Sequence, residues 1–351
     1  MKGNWVESWL KKEDWNELCK SMHGHNIYHS YQWGIYKEAF GWQAVRFLKN
    51  NKVGEPIAAV QLLIKKGAMG LVSLLWCPGG ILGQLNESSP EILFSSKIFS
   101  EVIKPKYIRI SFQKSLDASD YFFLHSIGWK PAYNKISSGM SFLLKKIESE
   151  EIFLQGCTSN WRHNYRRGTK KNTYLIEEWL DPNPQDMWNV YEKMEHYKGL
   201  KRQYSKQELV NITQCLRPFL VMCRAIDSNG TTVAFRGAAI FGNQCLDFFA
   251  AASPEARKSY TSHLLLVKLL QICRSKGGGS YDLGGIDPLK APGVYNFKKG
   301  TGADPVVYLG EWEWASSKFC MKFYNQIINW RFNPQTQGSK LSSPKQAVLQ
   351  H

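Results

Sequence analysis

The chain contains no apolar run approaching the roughly 18 residues that a membrane-spanning helix needs. Its first residues, Met1-Lys2-Gly3-Asn4-Trp5-Val6-Glu7, lack the apolar core of a secretory signal, so a cytoplasmic location is expected. No Cys-x-x-Cys pair occurs, and none of the eight cysteines combines with histidines at zinc-ligand spacing. His23, His25 and His29 lie close together without a matching carboxylate or cysteine set. No metal and no other cofactor is expected. The cysteines mostly fall in apolar runs such as Leu220-Val221-Met222-Cys223, the pattern of free buried thiols. Acidic residues are scarce: 29 Asp and Glu stand against 45 Lys and Arg, a net charge of +16. Such a surplus points to an anionic partner, or to nothing more than a solvated basic surface.

What the chain does have is apolar and aromatic residues, 43% and 13% of its 351 positions. That excludes a disordered or fibrous chain, and the length suggests two domains. The pattern repeats. The first half reads as helices over 7–22 and 31–40, strands over 43–50 and 57–66, an apolar run over 71–76, a helix over 89–103 and a strand over 107–112. The second half reads as helices over 184–197 and 205–216, strands over 219–226, 232–241 and 244–252, a helix over 261–274 and a strand over 279–284. Asp227-Ser228-Asn229-Gly230 is a hairpin turn, because Asn-Gly accepts positive φ. Each half closes with a further segment and strand, 124–131 then 139–144, and 294–300 then 305–312. The expectation is an α/β fold with mixed sheets, duplicated: residues 1–148, then 149–315. A last helix over 316–333 is expected to join the first domain, with a polar, disordered tail over 334–351.

Tyr281-Asp282-Leu283-Gly284-Gly285-Ile286, followed by Gly293-Val294-Tyr295-Asn296-Phe297-Lys298-Lys299-Gly300, resembles the signature of the FemABX peptidyltransferases. Trp33-Gly34-x-x-Lys37, Pro78-Gly79-Gly80 and Arg202 in Lys201-Arg202-Gln203-Tyr204 fit the same family in order along the chain. The resemblance implies two tandem GNAT-like (acetyltransferase-like) domains. It implies transfer of an amino acid from aminoacyl-tRNA to an amine of a peptidoglycan precursor. A monomer is expected, with peripheral contact at the inner membrane face if the precursor is lipid-linked. By position, Lys37 and Arg202 match basic residues that hold the phosphorylated precursor, and Tyr204 and Phe249 fall beside them. Phe297 matches a residue near the tRNA end, and Lys298 the lysine that stabilises the transition state. Two departures stand out. Lys206 occupies the place of a family tyrosine, and a second one falls on Phe248 or Phe249. The long coiled-coil insertion of some members is missing.

The residues carry their own chemical argument. Acyl transfer to an amine requires held reactants and a stabilised oxyanion, and Lys298 suits the second task. Asp282 before Gly284-Gly285 can accept or orient an amine proton, or simply bond loop amides. Arg162, Arg166 and Lys170 share one helix face and, with Trp161 and Tyr165 interleaved, form a candidate nucleic-acid contact. In Arg257-Lys258-Ser259-Tyr260-Thr261-Ser262, Tyr260 and Ser262 stand where acyl-CoA enzymes have small phosphate-loop residues, which speaks against a CoA donor. An acyl-CoA or acyl-carrier transferase is the second reading. A non-catalytic module binding anionic surfaces is the third.

Overall fold

The computed structural model describes residues 5–66, 73–85, 107–200, 202 and 204–332. The helix expected over 89–103 and the tail 334–351 lie outside the described residues, as do residues 71 and 72 of the apolar run.

Two sheets form by the same rule. In the first, β1 (Trp5–Glu7), β2 (Gln43–Asn50), β3 (Pro56–Lys66) and β4 (Ser73–Cys77) run antiparallel to one another. Then β5 (Tyr107–Ser115) joins β4 in parallel. In the second, β8 (Leu175–Glu178), β9 (Leu220–Ile226), β10 (Thr232–Phe241) and β11 (Gln244–Ala252) run antiparallel, and β12 (Ser280–Asp282) joins β11 in parallel. The duplication is thus a matter of topology, with one parallel step at the same place in each sheet.

The sheets are joined by exchange. Strand β7 (Met140–Leu144) precedes the boundary read at 148, yet it pairs with β12. Strand β13 (Asp304–Ala315) pairs with β7 through Asp304 to Val307 and with β5 through Tyr308 to Ala315. Short β6 (Lys130–Pro131) pairs with its far end. The change of partner falls between Val307 and Tyr308, and a register shift in the new pairing follows at Gly310, whose φ of +76° lies in the left-handed region.

The helices cover the sheets. They are α1 (Lys12–Ser21), α2 (Tyr31–Glu38), α3 (Ala118–Ser126), α4 (Glu150–Gly156), α5 (Ser159–Lys171) and α6 (Pro184–Lys198). Then come α7 (Lys206–Cys215), α8 (Pro254–Lys258), α9 (Thr261–Ser275), α10 (Pro292–Lys299) and α11 (Lys318–Phe332). Their starts are written in the sequence. Thr158 accepts from the Trp161 amide, Asn183 precedes Pro184, and Ser205 forms a reciprocal box with Glu208. The helix expected over 7–22 is shorter than read. Trp5 is buried on the edge of the first sheet, paired with Lys49, so residues 5–7 are strand. One core joins the halves: Trp15, Trp33 and Tyr36 pack with Met187, Tyr191, Leu209, Phe235 and Phe249.

Two buried polar centres lie in the first half. The Arg109 guanidinium pairs with Glu311, both about 2% exposed, and Nε lies 2.9 Å from Oε2. Glu311 also accepts from the Ser137 amide at 2.6 Å. Beside it, Glu313 accepts from Tyr107 Oη at 2.7 Å and from Asn325 Nδ2 at 3.1 Å, which ties α11 to β13. His29 lies against the Pro78-Gly79-Gly80 turn. Its Nδ1 accepts from the Asn26 amide at 3.2 Å, so Nε2 carries the proton and donates to Gly80 O at 3.3 Å. A Cβ at Gly79 would meet that ring at 2.7 Å, which accounts for the glycine.

Removing one partner of the first centre strands a buried charge. Arg109→Ala is expected to lower unfolding free energy by about 3–5 kcal/mol, whereas Arg109→Met with Glu311→Leu recovers most of it, as equilibrium urea unfolding would show.

Candidate active site

Strand β12 ends at Asp282, and the chain returns through Gly284-Gly285 to α10, which carries Phe297 and Lys298 on its last turn. Lys298 is buried, and its Nζ donates to the carbonyls of Gly284 at 3.0 Å and Gly285 at 2.9 Å. An ammonium has three protons, so one donor remains beyond these two bonds. Burial pushes its pKa below the usual lysine value, Arg236 adds to that, and Asp247 and Asp282 pull the other way. Gly284 sits at φ +76°, and its α-carbon bridges the space between Asp247 and Lys298.

Asp282 is an anchored carboxylate. Its Oδ1 accepts from the Gly284 amide at 2.8 Å and from Ser141 Oγ, and Oδ2 accepts from Tyr308 Oη. The bond to the loop amide is the plainer role the sequence allowed. The tyrosine and serine bonds come from β13 and β7, the two exchanged strands. Tyr28 feels the charge of Asp282 and bonds the Gln113 side chain; burial first, then that charge, pushes its hydroxyl up to about 12. First-half residues therefore reach this carboxylate.

Across the junction Lys37 lies over three rings, with Nζ 4.8 Å from the Trp33 centroid, 4.6 Å from Tyr36 and 5.6 Å from Trp76. Tyr204 packs its ring tilted against Tyr191 and Phe249, with centroids at 5.5 and 5.7 Å, and senses Tyr28 and Tyr36. Phe249 is a core residue at 1% exposure, while partly buried Phe248 faces Trp33 at 6.2 Å. Phe248 is the extra residue of a β-bulge, since Gly237 pairs with Phe249 and Ala238 with Asp247. Arg202 is exposed, 4.2 Å over the Trp188 ring and 3.5 Å from Glu192. Lys37, Tyr204 and Phe248 thus gather where the halves meet, and Arg202 stands on the outer side of α6.

On the other face of α10, Phe297 meets His263 at 5.0 Å and Trp161 at 6.0 Å between ring centroids. A pocket of about 270 Å³ opens there, lined by Thr158, Asn160, Trp161, Asn164, His263 and Phe297 among others. Trp161 Nε1 and His263 Nδ1 are buried with no hydrogen-bond partner among the described residues. Burial, with Arg236 contributing, lowers the His263 pKa to about 4, so this ring is neutral near pH 7. Of the basic face, Arg166 and Lys170 are exposed, but Arg162 is committed. Its Nη1 donates to Gln155 O at 3.1 Å and to Cys157 O, closing the end of α4.

Tyr260 precedes α9 with φ +58°, the one non-glycine in that region among the described residues. It takes the backbone shape of a phosphate-loop glycine but puts a ring there, 5.3 Å from the Arg167 guanidinium. The cysteines are unpaired, and burial pushes Cys77, Cys157 and Cys223 up to about 12, so they are thiols and not nucleophiles near pH 7.

Sequence reasoning missed Tyr308, Ser141, Arg236 and Asp247. The last two stand inside strands and in no motif. Tyr308 reaches the site only because β13 crosses between sheets.

Two sheets of one topology, each with a parallel step, make a tandem GNAT-like fold. Residues 185–328 match the model of the FemAB family, which bears out the resemblance to the FemABX group over that part of the chain. The structure is similar to FemX, with TM-score 0.78 and 16% identity over 92% of this chain and 100% of that one. It is also similar to a tandem GNAT protein from the clavulanic acid biosynthesis pathway (TM-score 0.57, 10% identity, 90% and 98% covered). A third likeness is to L-PGS from Bacillus licheniformis (TM-score 0.55, 12% identity, 91% and 97% covered). No curated protein sequence matches this chain.

His29 gives the fold around this site a pH signature. Burial lowers its pKa from 6.5 to about 4. The unfolded chain then binds more protons between these values, so this contribution is complete above pH 6.5 and is lost as pH falls toward 4. It amounts to about 3 kcal/mol at most. Urea midpoints at pH 7 and pH 4.5 are expected to differ less in His29→Gln than in the parent.

Proposed function

We propose that this protein is an aminoacyltransferase of the FemABX type. It takes an amino acid from aminoacyl-tRNA and joins it to an amine of a peptidoglycan precursor. The observation that carries this reading is Lys298, buried and held by two carbonyls, next in the chain to Phe297, which lines a pocket on the other face of α10. A neutral acceptor amine attacks the ester carbonyl carbon and forms the C–N bond. Charge collects on the carbonyl oxygen, where the remaining Lys298 proton stabilises it. The C–O bond to the ribose then breaks, and the ribose hydroxyl leaves with the proton lost by the amine. Asp282, already accepting three bonds, is suited to hold and orient the ammonium product more than to take its proton.

The donor side of this reading is the pocket beside Phe297, with Arg166 and Lys170 outside it for phosphates. The acceptor side is the junction of Lys37, Tyr204 and Phe248, with Arg202 on its flank. A net charge of +16 favours both polyanionic reactants. Among the described residues no helix is long and apolar enough to cross a membrane. The proposed working place is the cytoplasm, as a monomer, with peripheral contact at the inner membrane face when the precursor is lipid-linked. Tyr260 in the loop before α9 disfavours a CoA thioester as donor.

The test is transfer itself. Purified full-length protein is incubated with labelled aminoacyl-tRNAs or with acyl-CoAs, each with peptidoglycan precursor. Transfer from tRNA, reduced about 10²-fold or more by Lys298→Ala, is expected. Transfer from thioesters alone, or an unimpaired Lys298→Ala, would overturn the reading.

A further inference from the structure

Arg236 and Asp247 form an ion pair with both side chains about 6% exposed. Arg236 Nε donates to Oδ1 at 3.1 Å, Nη2 donates to Oδ2, and Tyr281 Oη donates to Oδ1 at 3.0 Å. A bidentate pair of this kind is planar and fixed. Its desolvation cost is high, and two apolar residues of similar size would serve a core at least as well. Stability alone gives no reason for it. Its surroundings do. The guanidinium lies 5.4 Å from the centroid of Phe297. A Cβ on Gly284 would meet the backbone carbonyl of Asp247 at 3.3 Å and Lys298 Nζ at 3.7 Å, so these two residues are neighbours across that glycine. The pair thus lies beside both residues of the Phe297-Lys298 step.

We propose that Arg236 and Asp247, closed by Tyr281, are the positioning residues of this site. The guanidinium plane backs the Phe297 ring, and the carboxylate faces the Lys298 ammonium and holds its charge. The division of labour follows from the β-bulge at Phe248. The extra residue turns Phe248 toward Trp33 and the acceptor side while Asp247 remains under the donor side. Lysine cannot replace Arg236, because it has neither the fork that grips Asp247 nor the plane that meets the ring. The charges facing Lys298 are Arg236 on β10, Asp247 on β11 and Asp282 on β12. Asp282 has partners of its own in Ser141, Tyr308 and the Gly284 amide, so removing Asp247 leaves Arg236 without a carboxylate partner beside the ammonium.

This inference rests on Lys298 as the oxyanion-stabilising group, and its test separates the two ideas. Lysine ε-carbons are labelled with ¹³C, the Lys298 signal is assigned with Lys298→Arg, and its titration is followed in the full chain. Asp247→Asn is expected to lower the Lys298 midpoint by about one pH unit or more. Arg236→Met with Asp247→Leu removes the pair without stranding a charge. This variant is expected to unfold at the parental urea midpoint or above it, yet to lose at least tenfold in kcat for transfer. Arg236→Lys is expected not to rescue it. An unmoved Lys298 titration in Asp247→Asn overturns the proposal. So does parental kcat in the double variant. If Asp247→Asn does not fold, the double variant alone decides by its kcat. If the parent transfers from no donor, the functional reading fails and the titration still decides the positioning role.

Discussion

The whole arrangement depends on β13. One strand of twelve residues supplies the outer partner of β7 in one sheet and of β5 in the other. It changes partner between Val307 and Tyr308 without breaking, and a left-handed turn at Gly310 follows. The exchange fixes the two halves to each other by backbone hydrogen bonds, which are stiffer than a linker and a packed interface. It also decides what meets at the junction. Tyr308 stands just before the turn and bonds Asp282, while Glu311 and Glu313 just after it hold Arg109, Tyr107 and the closing helix. A site assembled from β7, β12, β13 and α10 exists only because that strand crosses.

Around the crossing, charge is placed with care. Three buried cations have fixed acceptors: Arg109 has Glu311, Arg236 has Asp247, and Lys298 has two carbonyls. The difference matters. A carboxylate partner neutralises its cation, whereas carbonyl dipoles hold Lys298 in place and leave its charge available to a developing oxyanion. Where the halves meet, the cation Lys37 also lies over aromatic faces, whose quadrupoles attract it.

Much of this was legible in the sequence, and the reasons are local. The Asp227-Ser228-Asn229-Gly230 turn formed as read. Asp227 Oδ1 accepts from the Asn229 and Thr231 amides, Gly230 takes φ +78°, and the flanking strands run within a residue of their expected ends. Helices with caps were found for the same reason. The Trp5–Glu7 strand was not, because three residues at a sheet edge carry no periodicity. Nor was the exchange, since β13 bonds β5 across about two hundred residues of chain and no spacing rule reaches that far. The motif located Lys298 and Phe297, whereas Arg236 and Asp247 were hidden. A charge in a strand looks solvated until its partner is known. Arg162 was read as a phosphate contact and is found closing the end of α4, a bond that depends on how two helices meet.

The central claim is that Lys298 faces the reacting carbonyl while Phe297 borders the tRNA end. A structure of the full chain with a non-hydrolysable aminoacyl-tRNA end analogue tests it most directly. The account predicts the acyl oxygen within about 3 Å of Lys298 Nζ, the terminal nucleoside in the pocket beside Phe297, and the α-carbon side chain toward Asp282 and Tyr308. An analogue bound with its acyl group away from Lys298, or seated elsewhere on the molecule, would contradict it.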